Sequence, residues 1–193
     1  FDWTKVADDD IRQFAKKAGQ FAFLAHLRTL IYRDLGGCPA PMNSFLMLQG
    51  LETLAGRMQK HCDNAALLTV MLNENDKVKS VNYPGLADSP FHDITEKLFA
   101  GRAGAVFTFN LGSKDIAFKF INSLKLAKNL ANLGDVKTLV IHPASTIFRE
   151  FTSEEQAKMG ITDDMIRVSV GTEDIEDIKN DFEQAIEKAF EVK

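Results

Sequence analysis

Ile166-Arg167-Val168-Ser169-Val170-Gly171 is the stretch that decides the fold. Apolar residues at alternate positions predict a strand, and Gly171 stops it. From Ile175 the period changes. Ile175, Ile178, Phe182, Ile186 and Phe190 recur every three or four residues, which predicts a helix to about Phe190 with one buried face. The same alternation of textures runs upstream as far as Val78. Strands are predicted at Val78–Tyr83, stopped by Pro84-Gly85, at Ala105–Leu111, and at Leu139–His142 before Pro143. Helices are predicted between them: Phe91–Phe99, then Ser113 to about Leu124, then a short one opened by Ser153-Glu154-Glu155-Gln156, an S-x-x-Q capping box, and ended by Gly160. Strands and helices mixed in this way give an α+β region of about 120 residues, within an α/β chain.

Before Asn75 the pattern is helical only. Asp8-Asp9-Asp10 suits a helix start, because acids favour the positive end of the dipole, and Leu24, Leu27, Ile31 and Leu35 keep helical spacing until Gly36-Gly37. Cys38-Pro39-Ala40-Pro41 is a rigid connector. Met47, Leu51, Leu54, Met58, Cys62 and Ala65 then form one stripe that reaches about Leu72. Some 30 residues at about 1.5 Å each predict a helix about 45 Å long, of the kind that ties domains together.

Composition narrows the chemistry. The 193 residues, 45% hydrophobic and 26% charged, suffice for a real core and do not resemble a disordered chain. A net charge of −4 argues against a protein that neutralises phosphate backbones. No apolar run approaches the roughly 18 residues of a membrane span. Cys38 and Cys62 cannot form a disulfide scaffold and fit a reducing cytoplasm. The four histidines have no zinc-ligand spacing, so no metal is expected.

No catalytic constellation stands out from the residues alone. Gly101-Arg102-Ala103-Gly104 reads as a turn, the two cysteines as packing thiols, His61 beside Lys60 as a surface or capping group, and Phe107, Phe109, Phe118, Phe120 and Phe182 as core. Two places are less ordinary. Arg167 lies inside an apolar strand, either as an anion clamp or at a strand edge with an internal acid partner. Asn132-Leu133-Gly134-Asp135 and His142-Pro143-Ala144-Ser145-Thr146 are polar loops at strand ends, where ligands are commonly held.

These same residues carry a resemblance. Ala131-Asn132-Leu133-Gly134-Asp135-Val136-Lys137-Thr138-Leu139, His142-Pro143-Ala144-Ser145-Thr146, Gly160-Ile161-Thr162 and the run from Ile166 to Asp174 closely resemble the C-terminal part of the pyridoxal-phosphate enzymes of Cys/Met metabolism. Arg33-Asp34-Leu35-Gly36, Pro41-Met42-Asn43-Ser44-Phe45-Leu46, Gln49-Gly50-Leu51-Glu52-Thr53-Leu54, Arg57-Met58 and His61 match the family in the same order. Asn132-Leu133-Gly134-Asp135 with Lys137 is most similar to its O-acetylhomoserine sulfhydrylase branch.

The resemblance implies the C-terminal part of a type I pyridoxal-phosphate-dependent transferase fold, with a four-stranded, mostly antiparallel sheet covered by helices and preceded by long linking helices. Residues 1–72 would finish the large cofactor-binding domain, and 73–193 would form the small C-terminal domain. The implied enzyme is a cytoplasmic homotetramer of methionine biosynthesis. Its cofactor is pyridoxal 5'-phosphate, and it replaces the γ-acetoxy group of O-acetylhomoserine with a sulfur nucleophile, giving homocysteine or methionine. The implied alternatives are a γ-lyase or cystathionine synthase on the same scaffold, or a non-catalytic assembly module. The Ser-x-Thr-Lys motif whose lysine holds the cofactor is not in these 193 residues. The opening Phe1-Asp2-Trp3, which in the family follows that motif, therefore suggests the C-terminal half of a longer chain. On this reading the chain holds no catalytic residue, and its cofactor contacts are not assigned. Arg167, Asn132 and Leu133 would bind the substrate, Arg167 and Asn132 through its carboxylate. Ile147 and Phe148 stand where the family often has Thr-His, which makes the rim of the pocket less polar.

Overall fold

In the computed structural model, residues 2–191 are described. The expectation attached to Phe1 lies outside them, as do Val192 and Lys193. The chain divides into two compact units, residues 1–51 and 52–193. This division falls earlier than the 72/73 boundary expected for the domains of a whole enzyme.

The first unit is helical. Asp8 caps α1 (Asp9–Ala18), its carboxylate accepting from the Ile11 N–H at 2.9 Å. Gly19 ends α1 at φ +53°, a conformation that costs residues with a side chain. The long helix expected from Ile11 to Leu35 is therefore segmented. A 3-10 turn (Gly19–Phe21), α2 (Ala22–His26), a π-helical turn (Leu27–Tyr32) and α3 (Arg33–Leu35) follow one another. Trp3 stacks on Phe23 with ring centres 5.5 Å apart, and Phe14 meets His26 edge-on. α4 (Pro41–Glu52) begins at Pro41, whose missing N–H suits a first turn.

The single helix expected from Pro41 to Leu72 is two elements, α4 and α5 (Leu54–Asn73), with Thr53 between them at φ −101° and ψ 0°. Thr53 is β-branched, and its hydroxyl accepts from the Arg57 Nε at 3.2 Å, a local bond that competes with helix geometry.

The second unit is a sheet with helices on one face. After α5 come β1 (Ser80–Asn82), α6 (His92–Phe99), β2 (Val106–Asn110), α7 (Lys114–Ser123), β3 (Lys128–Asn129), β4 (Leu139–Ile141), α8 (Ser153–Lys158), β5 (Met165–Ser169) and α9 (Ile175–Phe190). The sheet has five strands in the order β1-β2-β5-β4-β3 and is mixed, because β3 runs parallel to β4 while the other pairs are antiparallel. The α/β class holds, but the expected four strands lacked β3. That strand is two exposed residues, too short to show any alternation. The capping box of α8 is also one residue earlier than expected. Thr152 is the cap and Glu155 its reciprocal partner, with Oε2 accepting from the Thr152 N–H at 2.9 Å.

On the helical face, Phe107, Phe109, Ile166 and Val168 meet Ala65, Leu68 and Leu72 of α5, Ala117, Phe120 and Ile121 of α7, and Ile178, Phe182, Ala185 and Ile186 of α9. Phe120 packs edge-on against both Phe109 and Phe182, with ring centres 5.4 Å apart in each pair. Each fully buried large side chain contributes about 1.5–3 kcal/mol relative to exposure. Alternation sends Met165, Arg167 and Ser169 of β5 to the opposite face. No helix is long and apolar enough to cross a membrane among the described residues.

Candidate functional site

Arg167 sits on β5, the central strand, half-buried, with Thr108 of β2 beside it on one side and Ile141 of β4 on the other. The strand edge considered from sequence is therefore corrected to the middle of the sheet. No carboxylate pairs with Arg167 among the described residues, so the internal acid partner of that same reading is not there either. The hydroxyl of Thr108 is buried and lacks a hydrogen-bond partner. Directly opposite residues on antiparallel strands have Cβ atoms about 4.5–5.5 Å apart, so a guanidinium and an unused hydroxyl share one patch of the sheet. Neither a half-buried cation nor a buried unpaired hydroxyl favours stability. Together they suit an anion that comes from outside the fold.

Two residues along the strand, the Ser169 hydroxyl donates to the Asn132 carbonyl at 2.9 Å. This bond hangs the 132–135 loop over the face that carries Arg167. Within the loop, Asn132 Oδ1 accepts from the Leu133 N–H at 2.9 Å. Asn132 Nδ2 reaches Asp135 Oδ2 only at 3.5 Å, the outer limit for such a bond. Asp135 in turn accepts from the Lys137 N–H at 3.0 Å, and that backbone bond is the main reason its carboxyl lies below the usual range. Asn132 and Leu133 are exposed, Leu133 by 65%. Arg167 and the Asn132 loop, both singled out from sequence, thus meet through Ser169.

The second loop is more closely knit. His142 is buried. Its Nδ1 accepts from the Ser145 N–H, and its Nε2 donates to the Asp163 carbonyl at 2.8 Å. Gln156 Nε2 donates to the carbonyls of Ala144, Phe148 and Phe151, which fixes the turn after Pro143. Ile147 is exposed and Phe148 packs on Phe151 with centres 6.1 Å apart, so this rim is apolar. His61, expected at the surface, is 1% exposed. Its Nδ1 donates to the Val170 carbonyl at 2.6 Å. The partner that buries it lies 109 residues away, beyond any local pattern.

The described residues do not by themselves make a cradle for pyridoxal phosphate. No lysine is buried among them to hold an aldehyde, and Asp181, the buried carboxylate, is committed to the N–H groups of Lys125, Leu126 and Ala127. What they bring together is a cation, Arg167, and a polar loop held at one side of the sheet by Ser169.

Comparison with known proteins identifies the family. The family described as Cys/Met metabolism PLP-dependent enzyme matches residues 6–187. The chain is 46% identical over 177 residues to a homocysteine synthase of Schizosaccharomyces pombe, covering 91% of this chain and 41% of that protein. It is 43% identical over 169 residues to O-acetyl-L-homoserine sulfhydrylase 1 of Thermus thermophilus, covering 87% and 40%. A crystal structure from Campylobacter jejuni, described as a putative O-acetylhomoserine (thiol)-lyase with a pyridoxyl-lysine phosphate, superposes with a TM-score of 0.81 at 39% identity, over 89% of this chain and 41% of that one. The O-acetylhomoserine sulfhydrylase of Wolinella succinogenes gives 0.72 at 36% identity, over 96% and 49%. The chain spans about two fifths of the length of the curated relatives it matches.

Proposed function

The chain belongs to the Cys/Met metabolism PLP-dependent enzymes, and from that premise we propose that it forms the substrate-carboxylate end of an active site that replaces the γ-acetoxy group of O-acetylhomoserine with a sulfur nucleophile, yielding homocysteine in methionine biosynthesis. The sulfhydrylases and homocysteine synthases among its relatives support this choice of reaction. The observation that carries the site is Arg167, a cation on the central strand with no acid partner among the described residues, facing an unused Thr108 hydroxyl.

Each residue of the site has a distinct task. Arg167 offers two parallel N–H donors to the two carboxylate oxygens. Asn132, loosely held by Asp135, can turn its amide N–H toward the same carboxylate. Leu133 offers the apolar contact of an exposed loop residue. Held by its carboxylate, the amino acid keeps its reacting carbons in a fixed place, which is the entropic part of catalysis. Pyridoxal phosphate supplies the electron sink that this chemistry needs, and the lysine that holds it is expected upstream of these residues.

In the proposed whole, residues 1–72 complete the large domain and 73–193 form the small one, as the C-terminal part of a type I transferase fold, in a cytoplasmic homo-oligomer. The apolar residues of α4, with Phe45, Leu46, Met47 and Leu48 each more than half exposed in this chain, support assembly with further protein.

The test is Arg167→Ala in the full-length holoenzyme. A charged hydrogen bond is worth about 1.5–3 kcal/mol, so losing a bidentate pair should lower kcat/KM for the amino-acid substrate by about two orders of magnitude or more. Cofactor loading and melting temperature should stay as they were. Arg167→Lys should recover little, because an ammonium has no fork. An Arg167→Ala enzyme with unchanged kcat/KM would overturn the assignment.

A further inference from the structure

The turn after β5 is tied down from one side and grips from the other. On the first side, His61 Nδ1 donates to the Val170 carbonyl at 2.6 Å, and Asn64 Nδ2 donates to the carbonyls of Gly171 at 3.1 Å and Glu173 at 2.9 Å. Both side chains come from α5 and both are 1% exposed. The turn is thus anchored to a core helix.

From this anchored turn the Glu173 carboxylate reaches across to the segment that precedes β4. Oε1 accepts from the Thr138 N–H at 2.7 Å and Oε2 accepts from the Thr138 hydroxyl at 2.9 Å. The same hydroxyl accepts from the Gly171 N–H at 3.0 Å, which uses its one donor and one lone pair. The Thr172 N–H adds a bond to the Val136 carbonyl at 2.8 Å. The two strands of backbone lie so close that a Cβ on Gly171 would overlap the Val136 carbonyl, the Lys137 backbone and the Glu173 carboxylate. Segment 132–138 is therefore held at Asn132 by Ser169, at Val136 by Thr172, and at Thr138 by Glu173 and Gly171.

We propose that Glu173 is a positioning residue for the carboxylate site: through Thr138 it fixes the 132–138 segment, and so sets Asn132 and Leu133 at the right distance from Arg167. This rests on the carboxylate-binding role proposed above. Glu173 touches neither substrate nor cofactor in this scheme. It acts by preorganising the loop, so that the cost of ordering it is not charged to each binding event.

The experiment uses the full-length holoenzyme and two unreactive ligands, glycine and glycine methyl ester, which differ in the carboxylate. Binding is read from the cofactor absorbance. Glu173→Ala should weaken glycine about tenfold or more while changing the ester little, and should raise KM for the amino-acid substrate more than it lowers kcat. Glu173→Gln keeps an acceptor for the Thr138 N–H and should recover much of the loss. Thr138→Ser, which keeps both bonds, should resemble the wild type. If Glu173→Ala does not fold, Thr138→Val removes the hydroxyl bonds alone and should show the same selective loss for glycine. Equal weakening of both ligands, or a lower melting temperature with unchanged glycine affinity, would reduce Glu173 to a structural residue and overturn the proposal. Arg167→Ala is measured alongside. If it leaves glycine affinity intact, the carboxylate site itself is misplaced; if it abolishes glycine binding while the Glu173 and Thr138 variants bind normally, only the positioning role fails.

Discussion

Thr108 carries a polar atom that the fold itself does not use. Its hydroxyl is buried beside Arg167 and has no partner among the described residues. An unpaired buried polar group costs about 1–3 kcal/mol, and Val has nearly the same shape. Thr108→Val is therefore expected to leave the melting temperature unchanged or raise it slightly. It should also increase KM for the amino-acid substrate, because the hydroxyl lies beside Arg167. Thermal scans and steady-state kinetics on the same preparation check both halves. The sequence shows Thr108 as the polar residue between Phe107 and Phe109, and this parity is the signal that was open to reading: it shares the face of Arg167, opposite the two phenylalanines. His61 offered no such signal. Its burial depends on Val170, more than a hundred residues later.

Among the elements, alternation and helical period located four of the five strands and the helices α6, α7 and α9; in β2, α7 and α9 the period corresponds to one buried face. They failed where the cause of structure is not periodic. β3 is a pair of exposed residues beside β4, and α1 ends at the positive-φ backbone of Gly19 although the apolar stripe runs past it. The connection from α7 to β3 is another aperiodic case. Lys125, Leu126 and Ala127 donate their three N–H groups to one carboxylate, Asp181 of α9, at 2.8–2.9 Å. Asp181→Ala leaves those donors without their acceptor, and the expected loss is about 2–4 kcal/mol of unfolding free energy, measured by urea denaturation. A smaller loss with Asp181→Asn would follow from the one carbonyl oxygen it retains. The candidate site was legible as Arg167 and the Asn132 loop, but its supports were not. Ser169, Thr138 and Glu173 act through bonds between segments far apart in sequence.

At the scale of the whole chain, the described residues leave a great deal of apolar surface uncovered. Phe21, Leu35, Met42, Phe45, Leu46, Met47, Leu48 and Leu51 are each more than half exposed. A soluble monomer rarely exposes so many large apolar side chains within about thirty residues. The 193-residue chain expressed alone is expected to self-associate or to bind a dye that reports apolar surface, as read by light scattering and fluorescence. A stable 21.5 kDa monomer that binds no such dye would contradict the proposed assembly. The sheet of the second unit has a different division of labour. Its core face is filled by phenylalanines locked between α5, α7 and α9, whereas Arg167 and the loop hung from Ser169 occupy the other face. Heritable change can therefore act on the two faces separately. On the proposed reading, exchanges at the exposed positions Asn132, Leu133 and Ile147 would change what is recognised without disturbing the aromatic rings between α5, α7 and α9, so a lineage could move between related substrates while its scaffold drifts little.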